Sequence, residues 1–491
     1  MAAGKKAAAK KRAATKKTAP GKAGARKTGA RKVAKGNGDL RVRMYRVGFG
    51  DFFLVTVPSA HGPQHILIDC GVTPGTTHKG DIGTIKSAVR HMAAETNRTL
   101  ALIIVTHRHQ DHIIGFSRCE DVFKQFKVGA IWMSAWETEY PAKVARLQAA
   151  LLQQTVRAQA QLALRAAGDP VAAAVLGVLE NATGEGPGGG TNAKSLEMLK
   201  TKMGVKPKYL HRGQKAPLPD ALAAAGLEAE ILGPPPVDQL AFMKLEDLTK
   251  HVGQYLGAAA AGAAGDDDAG AFGAHWRVEP AAYPAAAFRE WAPRPQGQLT
   301  EPSPLHAARV EKAIAASQPE ALAMAAKELD DFLNNQSLVV LFTFRGKTML
   351  FSGDAQWGNW ANFLFGGPIG TRGHTALTER SQSILANLDF YKVGHHGSTN
   401  ATPIDVVEAM RKGCVAMCAT DPGAYGKEER GTEVPRKPLM AALAEKTENQ
   451  LARSDQVAVG KGAKRRNATE GEPPLSAPFT SEVDGCIDYW L

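Results

Sequence analysis

Apolar runs separated by Gly- and Pro-containing turns begin near Leu40 and predict strands followed by helices. Three short runs predict a β-meander over Arg41–Val47, Phe52–Val57 and Gln64–Asp69. A helix is predicted around Ile82–Glu95, and a fully apolar strand over Leu100–Val105. Strands that alternate with helices in this way favour a layered α/β arrangement.

The pattern changes over residues 137–333, which we predict to be a large insertion. Its first part, 141–180, is rich in Ala, Leu and Gln and is predicted to be helical. A low-complexity stretch of Ala, Gly and Asp over 257–273 predicts a flexible loop. The insertion therefore divides one domain into a first half, 39–136, and a second half, 334–491.

Strand character resumes in the second half. Ser337–Phe344 and Thr348–Phe351 are predicted to form a hairpin around the turn at Arg345–Lys347. Phe390–Val393 and Cys414–Ala419 are predicted to be further buried strands, and Cys414–Ala419 is expected to be the last. The second half thus repeats the mixture of strands and helices found in the first.

Composition places the chain among folded proteins of a reducing compartment. Of its 491 residues, 44% are hydrophobic and 22% are charged, which excludes a chain that is disordered throughout. Five scattered cysteines argue against a disulfide scaffold and favour the cytoplasm. No apolar run approaches the roughly 20 residues of a membrane span, and we expect neither a span nor a signal peptide.

Positive charge is concentrated in residues 1–38. This segment contains 13 Lys or Arg residues and no Asp or Glu, whereas the whole chain has a net charge of +12, so the remainder is close to neutral. With no aromatic residue, the segment is predicted to be a disordered tail. It resembles the Lys/Ala-rich tails of histone-like proteins, and we expect it to contact nucleic acid or another polyanion. A solubilising tail without a specific partner is the alternative.

The strongest chemical signal is the segment Thr106–His112, which directly follows the apolar strand Leu100–Val105. It holds three histidines and an aspartate, His107, His109, Asp111 and His112. Burying so many titratable groups together is costly unless they bind a metal. Since His107 and His109 are two residues apart, both can face one ion, while Asp111 and His112 can face a second ion or a bound water.

Three other predicted strands also end in residues that bind metals. Asp69 closes the strand of Ile66–Asp69, Asp354 follows Leu350–Gly353, and His395 and His396 follow Phe390–Val393. An aspartate after a strand is by itself usually a turn residue or a helix cap. Together, and in this order, the motifs form a specific pattern.

This pattern resembles the metallo-β-lactamase-fold hydrolases. The resemblance implies a four-layered αββα sandwich in which these strand ends meet at one rim. It implies that His107 and His109 hold the first metal, that Asp111, His112 and His395 hold the second, and that Asp354 bridges both. Asp69 would hold the His-rich loop through hydrogen bonds from below.

Further motifs resemble the competence-protein branch of that family, which includes the soluble hydrolase domain of the DNA-uptake channel protein ComEC. They are Gly48-Phe49-Gly50-Asp51, Asn335–Val339 and His395-His396-Gly397-Ser398. The chain departs from the family in several respects, and the one that concerns the metal ligands is that the usual histidine between the His-rich loop and the bridging aspartate is not evident. His211 is the nearest candidate.

The resemblance implies hydrolysis by a water that one or two divalent ions activate. Zinc suits the mixed His/Asp ligands, and manganese is the alternative. Asp111 would orient or deprotonate the water, and His396, Ser398 and Thr399 would contact a substrate oxyanion, unless His396 protonates the leaving group. A phosphodiesterase acting on nucleic acid is the first hypothesis. A lactonase or thioesterase on the same site, or a non-enzymatic polyanion-binding protein, are the alternatives.

Overall fold

The computed structural model describes residues 38–76, 82–138, 191–237, 330–366, 376–399, 402–426 and 432–455, most of 155–183 and 475–491, and the single residues Ala326 and Glu428. The predicted basic tail, apart from Gly38, and the predicted loop over 257–273 lie outside the described residues.

Two β-sheets form the centre of the described chain. In chain order the strands are β1 Arg41–Tyr45, β2 Phe52–Val57, β3 Gln64–Cys70, β4 Thr99–Val105, β5 Lys127–Ser134, β6 Lys208–Leu210, β7 Leu227–Gly233, β8 Val339–Phe344, β9 Lys347–Phe351, β10 Phe390–Lys392, β11 Val415–Cys418, β12 Leu451–Arg453 and β13 Cys486–Trp490. The first sheet has the order β13-β1-β2-β3-β4-β5-β6, and the second has the order β12-β11-β10-β9-β8-β7.

Helices connect these strands. They are α1 Ile85–Glu95, α2 Gln110–Arg118, α3 Glu120–Phe123, α4 Pro170–Thr183, α5 Asn192–Glu197, α6 Asp220–Ala224, α7 Trp357–Phe365, α8 Glu379–Ala386, α9 Ile404–Ala409 and α10 Lys437–Lys446. A π-helical turn, Met198–Lys202, follows α5, and 3₁₀ turns cover Ala135–Glu137 and His395–Gly397. The described residues of the predicted insertion, 137–333, thus include helices α4 to α6 and strands β6 and β7.

Alternation along the strands places side chains in different hydrophobic layers. On β2, Phe53 and Val55 belong to the core between the two sheets, which also contains Phe351 of β9. Phe52 and Leu54 point the other way, into a cluster shared with α1 and α2, because successive strand residues face opposite sides. A third cluster joins the outer face of the second sheet to α7, α8, α9 and α10. The molecule is a mixed α/β structure with helices on the outer face of each sheet.

Parallel strand pairs position the candidate site. β3 pairs in parallel with β4, and β9 pairs in parallel with β10. The carboxyl ends of parallel neighbours lie at the same edge of a sheet. Asp69 at the end of β3 therefore lies beside the His-rich segment after β4, and Asp354 after β9 lies beside the two histidines after β10.

The expectation that Cys414–Ala419 is the last strand is wrong, because β12 and β13 follow it. β13 pairs antiparallel with β1, so the end of the described chain completes the sheet begun by its first strand. Its pattern is interrupted by Asp488, which hides the strand in the sequence. In the structure, Arg43 of β1 compensates this charge, with its Nε 2.6 Å and its Nη2 2.7 Å from the two carboxylate oxygens.

Asp488→Asn is expected to destabilise the protein by about 3 kcal/mol. The substitution removes one of the two carboxylates that pair with the buried Arg43 guanidinium and leaves only that of Glu95. Urea unfolding followed by circular dichroism measures the change. Asp121→Asn, at an exposed position with the same charge change, is the control. The double variant Arg43→Met/Asp488→Leu should recover much of the loss because it removes both buried charges. An Asp488→Asn protein within about 0.5 kcal/mol of the parent would contradict this role for the pair.

Candidate metal centre

The His-rich segment forms the turn between β4 and α2. His109 immediately precedes α2, and the backbone N–H of His112 donates to the carbonyl oxygen of His109, 3.0 Å away, as the helix starts. Asp111 lies in the first turn of α2, where the helix dipole favours a negative charge. Its backbone N–H donates to Asn181 Oδ1 of α4 at 3.3 Å, so α4, which lies in the predicted insertion, contacts this turn.

Four side chains from three strand ends converge below the surface: Asp111, His112, Asp354 and His396, here called the four-residue cluster. Each offers one ligand atom, and these atoms all lie within 4.8 Å of one another. His112 Nε2 is 3.0 Å from Asp354 Oδ2, and His396 Nε2 is 3.1 Å from Asp111 Oδ2. All four residues are buried. Such a set of imidazole and carboxylate donors is one that zinc and manganese use.

Asp69 fixes the orientation of His112. The Nδ1 of His112 donates to Asp69 Oδ2 at 2.8 Å, which leaves Nε2 directed into the four-residue cluster. The same carboxylate accepts hydrogen bonds from the backbone N–H of Thr106 at 2.8 Å and from its hydroxyl at 2.6 Å. A carboxylate behind a histidine is the usual way in which proteins orient an imidazole ligand.

His396, rather than His395, directs a ring nitrogen into the cluster. Its Nδ1–H donates to the carbonyl oxygen of Ala419 at 2.8 Å, so Nε2 is the ring nitrogen that faces the cluster, 3.1 Å from Asp111 Oδ2 and 3.6 Å from Asp354 Oδ2. His395 instead has its Nδ1 2.7 Å from Ser398 Oγ, and its backbone N–H donates to Asp354 Oδ1 at 3.0 Å.

The backbone explains why the adjacent histidines differ. His395 and His396 have φ angles of 43° and 53°, in the left-handed region that costs non-glycine residues energy. The turn directs the two rings differently, with an angle of 61° between their planes. Such strain is typical of functional sites. Ser398 is buried and is engaged with His395, while Thr399 is half-buried in the turn that follows.

His107 and His109 form a second pair of facing donors. His107 Nε2 lies 3.1 Å from His109 Nδ1. The other nitrogen of His107, Nδ1, lies 3.1 Å from Thr106 Oγ1 and 3.3 Å from Ser337 Oγ. Burial, together with neighbouring imidazoles, lowers the pKa of His107 well below its usual value, and burial lowers that of His109 to about 4. Both rings are therefore neutral at pH 7, as a metal ligand must be.

The electrostatics of the four-residue cluster favour a cation. Burial by itself would raise the pKa of Asp111, but attraction to His112 and a hydrogen bond with His396 lower it to about 2. Burial would likewise lower the pKa of His112, yet the carboxylates of Asp354 and Asp69 raise it well above its usual value. The carboxylates thus stabilise positive charge at this point, and a divalent cation would supply it between the same atoms.

Asp51 and Lys392 lie beside the cluster, although the sequence did not assign them to the site. The ammonium group of Lys392 contacts Asp51 Oδ2 and lies 3.7 Å from Asp354 Oδ1. Asp51 Oδ2 is in turn 3.6 Å from His112 Nδ1. A lysine within the short buried strand β10 was the available signal, because lysine is almost never fully buried unless it is paired.

His211 lies apart from both groups of facing donors among the described residues. Its Nδ1–H donates to the carbonyl oxygen of Arg212 at 2.8 Å, and its backbone N–H donates to Gln214 Oε1 at 3.0 Å. These contacts are those of a turn after β6. They give no support to His211 as the histidine that the family resemblance leads one to expect.

Comparison with known proteins gives no family assignment: no family model matches the chain, and no curated protein sequence matches it. Within the described part of the chain, no helix is both long enough and apolar enough to cross a membrane. The functional interpretation therefore depends on the geometry of the site.

Proposed function

We propose that this protein is a metal-dependent hydrolase of the metallo-β-lactamase fold. The observation that carries the proposal is the four-residue cluster, in which Asp111 and His112, after β4 of the first sheet, meet Asp354 and His396, after β9 and β10 of the second. Two sheets with helices on their outer faces are compatible with that fold. The order of the motifs along the chain also supports it.

The donor set fits a divalent metal. Asp111 Oδ1 is buried and makes no hydrogen bond among the described residues, which leaves it available to a cation. Asp111, His112 and His396 would hold one ion, His107 and His109 would contribute to a second, and Asp354 would be shared. When bound, such ions lower the pKa of water so that hydroxide forms near neutral pH.

The protein's own residues would then orient the reactants. Asp111 would accept a proton from the attacking water through the oxygen that is not bound to metal. Lys392 would keep Asp51 and Asp354 in place by balancing their buried charge. The buried position of the cluster excludes bulk water, which strengthens every electrostatic interaction within it.

We propose phosphodiesters, and nucleic acid among them, as the substrate class. The resemblance of the motifs to the competence-protein branch and the basic tail support this choice. Hydrolysis assays with zinc or manganese on bis-p-nitrophenyl phosphate, DNA and a panel of lactones and thioesters test it. Turnover of the phosphodiesters supports the proposal, turnover of the lactones or thioesters alone would change the substrate class, and no metal-dependent turnover of any of them would refute it.

Removal of residues 1–38 is expected to weaken DNA binding at low salt without changing turnover of a small phosphodiester. The tail carries 13 basic residues, and binding through phosphate neutralisation falls with a log–log salt slope of about −0.9 per phosphate on duplex DNA. Fluorescence anisotropy at several salt concentrations should show the two proteins converging at high salt. Equal binding at low salt would show that the tail has another role.

A further inference from the structure

His109 has one ring nitrogen that the two proposed metal positions do not use. Its Nδ1 faces His107, whereas its Nε2 is buried and makes no hydrogen bond within the described part of the chain. Among the residues that the structure describes, the nearest carboxylate to that nitrogen belongs to Asp330, whose Oδ1 lies 3.6 Å away. A buried imidazole N–H without a partner is costly, so this position calls for an acceptor.

The other histidines of the site show what kind of partner is expected. In each of them the nitrogen that faces away from the site lies close to an oxygen atom. For His112 this is Asp69 Oδ2 at 2.8 Å, for His396 the carbonyl oxygen of Ala419 at 2.8 Å, and for His107 the hydroxyl of Thr106 at 3.1 Å. These oxygens select the tautomer and the ring orientation of a ligand histidine.

We propose that Asp330 is the positioning residue of His109, accepting its Nε2–H and holding Nδ1 towards the ion that His107 shares. This inference rests on the proposed function, because it assigns a role to Asp330 only if His109 binds a metal. Asp330 would then do for His109 what Asp69 does for His112, so that one carboxylate orients a histidine ligand at each of the two metal positions.

The surroundings of Asp330 suit this role. Asn334, one helical turn later, donates from Nδ2 to Asp330 Oδ2 at 3.1 Å, and the other oxygen, Oδ1, is the one that lies 3.6 Å from His109 Nε2. The separation of 3.6 Å exceeds a hydrogen bond, so we expect it to shorten when an ion fixes the His109 ring. The Asp330 side chain retains 22% of its exposure, whereas His109 is buried.

The position of Asp330 in the chain also gives the insertion a function. Asp330 belongs to the last residues of the predicted insertion, and Asn181, in its first quarter, accepts a hydrogen bond from the backbone N–H of Asp111. The insertion therefore contacts the His-rich turn at two places, one near each proposed metal position.

Titration of the metal-free full-length protein with Co²⁺, followed by visible absorption, tests the role of Asp330. Zinc affinity is then measured by competition with a chromophoric chelator. Asp330→Asn is expected to weaken one bound ion by about 10- to 100-fold, to alter the corresponding Co²⁺ band, and to leave the other ion unchanged. Asp330→Glu should restore part of the affinity because it restores the carboxylate. Asp121→Asn, an exposed change of equal charge, should behave as the parent.

Three outcomes would overturn the inference. The first is that the parent binds metal and the Asp330→Asn protein has the same metal affinities and the same Co²⁺ spectrum. That result would refute the role of Asp330 and leave the proposed function intact. The second is an equal loss for all ions together with a lowered melting temperature of the metal-free protein, which would make Asp330 a merely structural residue. The third is a parent that binds no metal, in which case the proposed function fails as well.

Discussion

Replacing Asp354 with alanine is expected to abolish hydrolysis and to remove most of the bound metal. Asp354 Oδ2 lies 3.0 Å from His112 Nε2 and 3.6 Å from His396 Nε2, so it is the carboxylate that the donors of the four-residue cluster have in common. Loss of a residue that hydrogen-bonds to a metal ligand commonly lowers metal affinity or activity by about 10- to 100-fold. Loss of a ligand shared by two ions should lower them by more.

Elemental analysis and turnover on bis-p-nitrophenyl phosphate measure this effect. Asp121→Ala, which removes an exposed carboxylate, is the control for net charge. Asp354→Asn, which preserves the shape of the side chain, separates loss of the charge from loss of packing. An Asp354→Ala protein that keeps full activity and full metal content would show that the site is assigned wrongly.

The second large effect concerns the two adjacent histidines. His396→Ala is expected to lower both metal content and turnover, because His396 Nε2 faces Asp111 and Asp354. His395→Ala should retain more metal, since the Nδ1 of His395 is engaged with Ser398 Oγ. The motif resemblance implies the reverse assignment, with His395 as the ligand.

Parallel elemental analysis of the two variants, each compared with the parent at the same zinc concentration, distinguishes the assignments. Circular dichroism of the metal-free proteins controls for folding. If metal is lost only from His395→Ala, His395 is the ligand and His396 serves in substrate contact or proton transfer. Loss of metal from His396→Ala alone supports the geometry of the structure.

Strand ends could be predicted from the sequence because they follow local rules. The apolar run Leu100–Val105 closely matches β4, and the histidines after it fall in the turn to α2. Asp69 lies at the end of β3, Asp354 and His396 follow β9 and β10, and parallel pairing brings such ends to one edge. Residue type, spacing and element order were therefore sufficient to collect most of the candidate ligands.

Contacts between distant segments could not be predicted in this way. Lys392 pairs with Asp51, and His109 faces Asp330. The two residues of each pair are far apart in the sequence, so no local sequence pattern predicts their contact. β13 was not predicted because Asp488 interrupts its apolar pattern. The residue that compensates this buried charge, Arg43, lies at the other end of the described chain. Which of His395 and His396 faces the cluster depends on left-handed backbone angles, which neither composition nor periodicity reveals.

Anomalous diffraction from crystals of the full-length protein grown with zinc or manganese tests the central claim most directly. Data collected on both sides of the metal's absorption edge locate the ion without assumptions about activity. We predict a difference peak among Asp111, His112, Asp354 and His396, with ligand atoms at about 2.0–2.2 Å if the ion is zinc. A metal-equilibrated crystal with no peak among these four side chains would contradict the proposed metal centre.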